Sequence, residues 1–312
     1  MYNLLKCNIF FASYIEVTNR SKMEQCLFEL VKEHFPHQNY VEREWVAVFA
    51  VTLGHAAMIY EQYLASEISM RDFLWCLYFL KNNPTNDAAA FTFRVPATNY
   101  IRVVRTNLPK MNNLLPNVNF LYYKFIILRN LKQTQIDFFR RFHEWDIEVP
   151  SCIVDGFDVP VREPFSNRDL SFNEKKVWFS TKIGHVAIKY LLAVHCDSGE
   201  IVWLSCPHPG GTYEPNMCAE ILGKRTQNEK FCADRLYRYH HAFITSDGDH
   251  SLKSDTVDSL RSLVERVIKK IRVFAVLGDE VWRRTAENNL EFHYLCAQVV
   301  CKIINCKIIN AE

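Results

Sequence analysis

Three acidic residues in this sequence are spaced so that they could hold a cation. Asp155 stands inside the apolar run VPSCIVDGFDVPVREP, residues 149–164. Asp234 closes the apolar segment of EKFCADRLY, and Glu265 lies in LRSLVERVIKKIR. A carboxylate inside an apolar strand is costly unless something positive or hydrogen-bonding meets it. Asp-Gly is also a favoured hairpin dipeptide, so a turn is the competing reading for Asp155. Glu265 follows Val264 and precedes Val267 by two, at the border of an apolar helical stripe from which a carboxylate can reach inward. Ligands of open α/β sheets bind outside strand ends. If the strands carrying the two aspartates are neighbours, these residues converge there, and a helix packed over that edge brings Glu265 in. Three converging carboxylates repel one another. Mg²⁺ or Mn²⁺, which prefers oxygen ligands, removes that cost. Two such ions a few ångströms apart can activate a water and stabilise the leaving oxygen of a phosphodiester. The alternative is that each acid is a turn, cap or surface residue, and spacing does not choose between the two.

The elements that must carry these residues can be read from periodicity. Up to about residue 148 the chain is poor in glycine and helical in pattern: MEQCLFELVKEHF and EWVAVFAVTLGHAAMIYEQYLA have apolar residues at helical spacing. RDFLWCLYFLKNN, PTNDAAAFTFRV and PATNYIRVVRTNL follow, the last two with helix-entry signals. Three short helices with tight turns, over about residues 72–108, fit a helix-turn-helix module or an ordinary bundle. The third would carry Arg102 and Arg105, with Arg94 just before it. NNLLPNVNFLYYKFIILRNLKQTQ has no clear period and reads as an extra helix or strand, or as an insertion over about residues 113–133.

From residue 149 onward the texture changes. CIVDGFDVPV reads as a strand, KKVWFSTKIGHVAIKYLLAVHC as one or two more with Lys182 and Lys189 along it, and GEIVWLSCPHPGG as another. PNMCAEILGKR is a short helix and EKFCADRLY a strand ending in Asp234. DSLRSLVERVIKKIRVFAVL is a helix with Leu260, Leu263, Val264, Val267 and Ile271 on one face, and EFHYLCAQVVCKII is the last helix. This order predicts an α/β fold with a mixed sheet flanked by helices, preceded by an all-α region. The division falls into residues 1–148 and 149–312.

Bulk properties narrow the function classes. With a net charge of +2 over 312 residues, a nucleic-acid surface has to be a local patch rather than a global field. The 11 cysteines form no Cys-x-x-Cys pair and read as buried free thiols of a reducing compartment. The adjacent His240 and His241 read as a solvated loop. No apolar stretch is long enough for a membrane span, and the N-terminal residues show no clean cleavage site.

Taken in order, the blocks of the second half resemble a known family. VDGFDVPVREP looks like the first catalytic block of PIF/Harbinger-type transposases and their endonuclease relatives, a DDE-superfamily group with an RNase H-like fold. WFSTKIGHVAIKYLLAVHCDSGEIVWLSCPHPGG, EKFCADRLY, LRSLVERVIKKIRVFAVL and EFHYLCAQVVCKI resemble the later blocks, over about residues 149–305. The helices through RDFLWCLYFLKNNPTND and PATNYIRVV resemble that family's helix-turn-helix front end. The resemblance implies that Asp155, Asp234 and Glu265 bind Mg²⁺ or Mn²⁺ and cut DNA. It also implies that Lys182, Lys189, Lys269 and Lys270 meet phosphates and that the chain resides in the nucleus, with the cytoplasm as a second location. A Myb-like accessory protein and self-association are partners it allows. The chain departs from the family at three places. Glu214 and Pro215 stand where an aspartate follows the glycine pair, so Glu214 is a substitute metal ligand with longer reach. Leu236 replaces a glycine, and CPHPGG replaces GPFPCG. The alternative function is therefore a degenerate transposase that binds DNA without cutting it.

Overall fold

The computed structural model describes residues 22–34, 42–118, 150–162, 176–196, 198–225, 229–246, 252–282 and 290–309. The chain divides into two compact units, Met1–Leu114 and Leu115–Glu312.

In the first unit the described elements are helices: α1 (Lys22–His34), α2 (Glu42–Phe49), α3 (Leu53–Ile59) continuing into a π-turn over Tyr60–Leu64, α4 (Met70–Asn82), α5 (Asn86–Phe93) and α6 (Ala97–Leu114). The apolar pattern of EWVAVFAVTLGHAAMIYEQYLA is thus broken into two helices. Ala50 adopts a left-handed φ of 66°, and Thr52 starts the next helix by accepting a hydrogen bond from the His55 amide at 3.2 Å. Helix periodicity runs through such a break because both helices bury the same kind of face.

α4, α5 and α6 form a set of three helices. Ser69 caps α4 through the Asp72 amide, and Thr85 caps α5 through the Ala88 amide. Asn83 and Arg94 close α4 and α5 in left-handed conformations, φ 42° and 53°. Trp75, Phe93 and Tyr100, one from each helix, pack with ring centroids 5.3–5.7 Å apart. That cluster turns Tyr100, Val103, Val104 and Leu108 of α6 inward and leaves Arg102 and Arg105 exposed. Of the segment read as an insertion, residues 119–133 lie outside the described residues.

The second unit contains β1 (Pro150–Pro160), β2 (Phe179–Ser180), β3 (His185–His195), β4 (Ile201–Leu204), β5 (His208–Pro209), α7 (Glu214–Met217), α8 (Ala219–Gly223), β6 (Lys230–Cys232), β7 (Phe243–Ile244), α9 (Leu252–Arg272) and α10 (Leu290–Ile309). Among the described residues the sheet has seven strands, in the order β2-β3-β1-β6-β7 with β4 and β5 also pairing β3. β3 runs antiparallel to β1 and β4, whereas β6 is parallel to β1 and β7 parallel to β6. The α/β class expected from the sequence, a mixed sheet flanked by helices after a helical N-terminal region, is the observed one.

β1 is buried on both faces, as a central strand must be. On one face Cys152 and Val154 meet Leu191 and Ala193 of β3, and Met217, Cys218 and Ile221 of α7 and α8 close over them. On the other, Phe157 stacks on Tyr190 and Tyr190 on His293 of α10, while α9 packs on β1, β3 and β6. No helix among the described residues is long and apolar enough to cross a membrane.

Candidate active site

The parallel pairing of β1 with β6 positions the two aspartates. Cys152 pairs with Phe231 and Ile153 with Cys232. Two residues further along come Asp155, in the middle of β1, and Asp234, just past the end of β6, so the two follow the Ile153–Cys232 pair at the same level. Asp234 is also the N-cap of the 3₁₀ turn Arg235–Tyr237, accepting a hydrogen bond from the Leu236 amide at 3.1 Å. Its other oxygen accepts one from Arg261 Nη2 at 3.2 Å. Arg261 projects from α9, is within 3.6 Å of Asp258 as well, and is among the charges acting on Asp155.

Side chains alternate along a strand, so Asp155 shares its face with Phe157, toward α9 and α10, whereas Gly156 and Asp158 face the other way. Burial raises the Asp155 carboxyl from 3.8 to about 6, with the Glu214 carboxylate adding to the rise, although Lys182, the Gly156 amide and Arg261 act in the opposite direction. The Gly156 amide donates to Asp155 Oδ1 at 2.8 Å. Lys182, otherwise exposed, donates to the Gly156 carbonyl at 3.0 Å and brings its charge to the rim of this site. Asp155 is thus a carboxylate that its own surroundings do not fully compensate.

Glu265 is exposed on α9. It lies four residues after Arg261, on the same stripe of the helix one turn further along. Among the described residues no three His, Cys, Asp or Glu side chains gather as a set able to hold a metal ion. The structure therefore brings Asp155, Asp234 and Arg261 together and leaves Glu265 at the solvent edge of the helix that supplies Arg261.

The opposite face of β1 holds a second group of charges. Glu214, at the start of α7, lies directly over Gly156: a Cβ at that glycine would stand 2.6 Å from Glu214 Cδ. Its carboxylate accepts a hydrogen bond from Tyr237 at 3.4 Å and is 3.7 Å from Lys189 Nζ. Lys189 pairs in register with Asp158, approaches it to 3.9 Å, and donates to the Thr212 carbonyl at 3.0 Å. Asp158 is 1% exposed, and among the described residues neither of its oxygens meets a partner at full hydrogen-bond geometry, although the Ser180 hydroxyl is near enough to favour its charged form. Burial raises its pKa, with Lys189 the main opposing charge. Glu214 thus lies over Gly156 with its charge also acting on Asp155, and Lys189 meets internal oxygens rather than solvent. Lys269 and Lys270 are exposed in the last turn of α9.

Asp158 and Arg261 were not singled out by sequence reasoning. The signal for Asp158 was present, since DGFDV places two aspartates on opposite faces of one strand. The one for Arg261 was its i, i+4 spacing from Glu265.

Residues 154–306 match the family model described as DDE superfamily endonuclease. The matched segment begins beside Asp155 and contains Glu214, Asp234, Arg261 and Glu265. No curated protein and no solved structure matches the chain.

Proposed function

We propose that the second unit is a metal-dependent DNA endonuclease of the transposase type, of the PIF/Harbinger group. In this reading Asp155 and Asp234 hold Mg²⁺ or Mn²⁺ and Glu265 completes the ligand set from α9. The observation that carries the reading is the β1–β6 register, in which Asp155 and Asp234 each follow the Ile153–Cys232 pair by two residues. The donor chemistry fits a hard cation: both ligands are carboxylates. One of them, Asp155, is buried enough to titrate near 6, and Arg261 already answers the other with positive charge. The chemistry such an ion supplies is Lewis-acid polarisation of a phosphodiester.

The remaining work falls to the chain itself. Arg261 fixes the Asp234 carboxylate, and the cap to Leu236 fixes its other oxygen. Lys182 holds a cationic amine beside Gly156, where a phosphate approaching Asp155 would meet it. The exposed Lys269 and Lys270 attract a polyanion along α9. In the first unit the exposed Arg94, Arg102 and Arg105 serve as DNA contacts of a helix-turn-helix, and the reading implies residence in the nucleus.

Calorimetric titration of Mn²⁺ into the full chain, followed by nicking of supercoiled DNA, tests the proposal. Saturable binding and nicking, both lost in Asp155→Ala and in Asp234→Ala, is the expected result. Absence of Mn²⁺ binding, or binding that survives both substitutions, overturns it and leaves a transposase-like chain that does not cut.

A further inference from the structure

The segment that follows Asp234 presents an aromatic side chain to solvent for which the fold gives no use. The 3₁₀ turn Arg235–Tyr237 is anchored by Tyr237, which is buried and packs on Phe243 at 4.8 Å between ring centroids. That anchor throws the next residues outward. Tyr239 is 86% exposed, unusual for a side chain that normally buries its ring and wets only its hydroxyl. The Arg238 guanidinium lies 4.6 Å from the Tyr239 ring centroid and backs it. At that exposure the remainder of the ring is open.

The surroundings are cationic and aromatic. The His240 ring stacks on His241 at 4.9 Å and meets Phe243 edge-on. Arg225 Nη2 is 3.3 Å from His241 Nε2, and Lys230 Nζ donates to the His241 carbonyl at 2.6 Å. Residues 235–246, RLYRYHHAFITS, contain no Asp or Glu. An open π face set among Arg225, Lys230 and Arg238, where residues 225–246 carry four Lys or Arg against Glu229 and Asp234, complements a polyanion that offers flat rings. Bases in a duplex keep their faces in the stack, so the complementary ligand is an unpaired strand.

We propose that Arg238–His241 is a stacking platform for an unpaired DNA base, with Tyr239 as the stacking residue and Arg225, Lys230 and Arg238 meeting the adjacent phosphates. This rests on the endonuclease reading for its choice of DNA, and it adds to that reading a preference for frayed or tailed ends. Lys230 opens β6 and Phe243, which pairs with Phe231, opens β7, so the platform lies at the end of these parallel strands opposite the one Asp234 follows.

The test is fluorescence anisotropy with the full chain, using a blunt DNA duplex and the same duplex carrying a single-stranded tail. The wild-type chain should bind the tailed probe more tightly. Tyr239→Ala should weaken tailed-probe binding about tenfold and leave the blunt probe unchanged, and Tyr239→Trp should restore it. Arg238→Ala and Arg225→Ala should weaken both probes and each lower the salt slope by about one. Equal affinity of wild type and Tyr239→Ala for the tailed probe overturns the platform, as does an equal loss on both probes. Mn²⁺-dependent nicking by the wild type and by Asp155→Ala, measured beside the binding, separates the two readings. If metal-dependent cutting is present in the wild type and lost in this variant while Tyr239→Ala binds normally, the platform fails and the endonuclease stands. Tyr239-dependent tail preference without any Asp155-dependent cutting gives the reverse.

Discussion

Replacing Asp155 with asparagine should stabilise the metal-free protein at neutral pH, although it removes a residue the proposed chemistry requires. Asn keeps the oxygen that accepts from the Gly156 amide at 2.8 Å, so the local geometry survives. What it removes is the ionised form. Burial raises the carboxyl from 3.8 to about 6. At about 1.4 kcal/mol per unit, this sets a ceiling of about 3 kcal/mol on the cost of ionising it in the fold. Water at a position that is not fully sealed lowers this, and about 2 kcal/mol is the expected gain. The sign follows from linkage. Between about pH 4 and pH 6 the folded chain retains a proton that the unfolded chain has lost. The wild type therefore loses stability as pH rises through that window, and the loss is complete above it. The variant lacks this contribution. The two proteins should therefore unfold alike near pH 4 and differ at pH 7.5. In a unit the size of residues 115–312, about 2 kcal/mol corresponds to about 4–8 °C in midpoint temperature. Thermal unfolding followed by circular dichroism at both pH values reads the difference. Added Mn²⁺ should raise the midpoint of the wild type by mass action and leave the variant unmoved. A variant less stable than wild type at pH 7.5, or an equal gap at both pH values, would refute the reasoning.

Three further outcomes follow from the charges and packing around the sheet. Lys189→Met leaves the buried Asp158 without its ion pair and should cost about 3–5 kcal/mol in urea unfolding, with Asp158→Asn in the same chain recovering most of it. Gly156→Ala drives a Cβ into the Glu214 carboxylate and should cost about 1–2 kcal/mol. In a Glu214→Ala background that cost should vanish, and its persistence would mean the clash is elsewhere. His293 is buried between Tyr190 and the Val276 carbonyl, and burial lowers its pKa to about 4. Its neutral form contributes stability that is present above about pH 6.5 and lost as pH falls toward 4, so His293→Gln should flatten the acid limb of the unfolding profile.

The sequence by itself determined the fold class and the positions of the acids along their elements. A short apolar run bounded by turn residues marked β1, the 3.6-residue stripe of Leu260, Val264, Val267 and Ile271 marked α9, and the order of such segments implied a mixed sheet flanked by helices. These are local signals, because strand and helix geometry fix which residues share a face. The family blocks were legible for the same reason, since they are contiguous. Tertiary structure decided how the acids are compensated. That Asp234 meets Arg261, that Asp158 depends on Lys189, and that Glu214 covers Gly156 depend on strand register and on helix placement between residues far apart in the chain. Register is set by which side chains the whole sheet buries, and shifting one strand by a residue would exchange the two faces. The break at Ala50 was hidden for a related reason: the apolar stripe reports burial, and burial continues across a backbone turn that interrupts the helix.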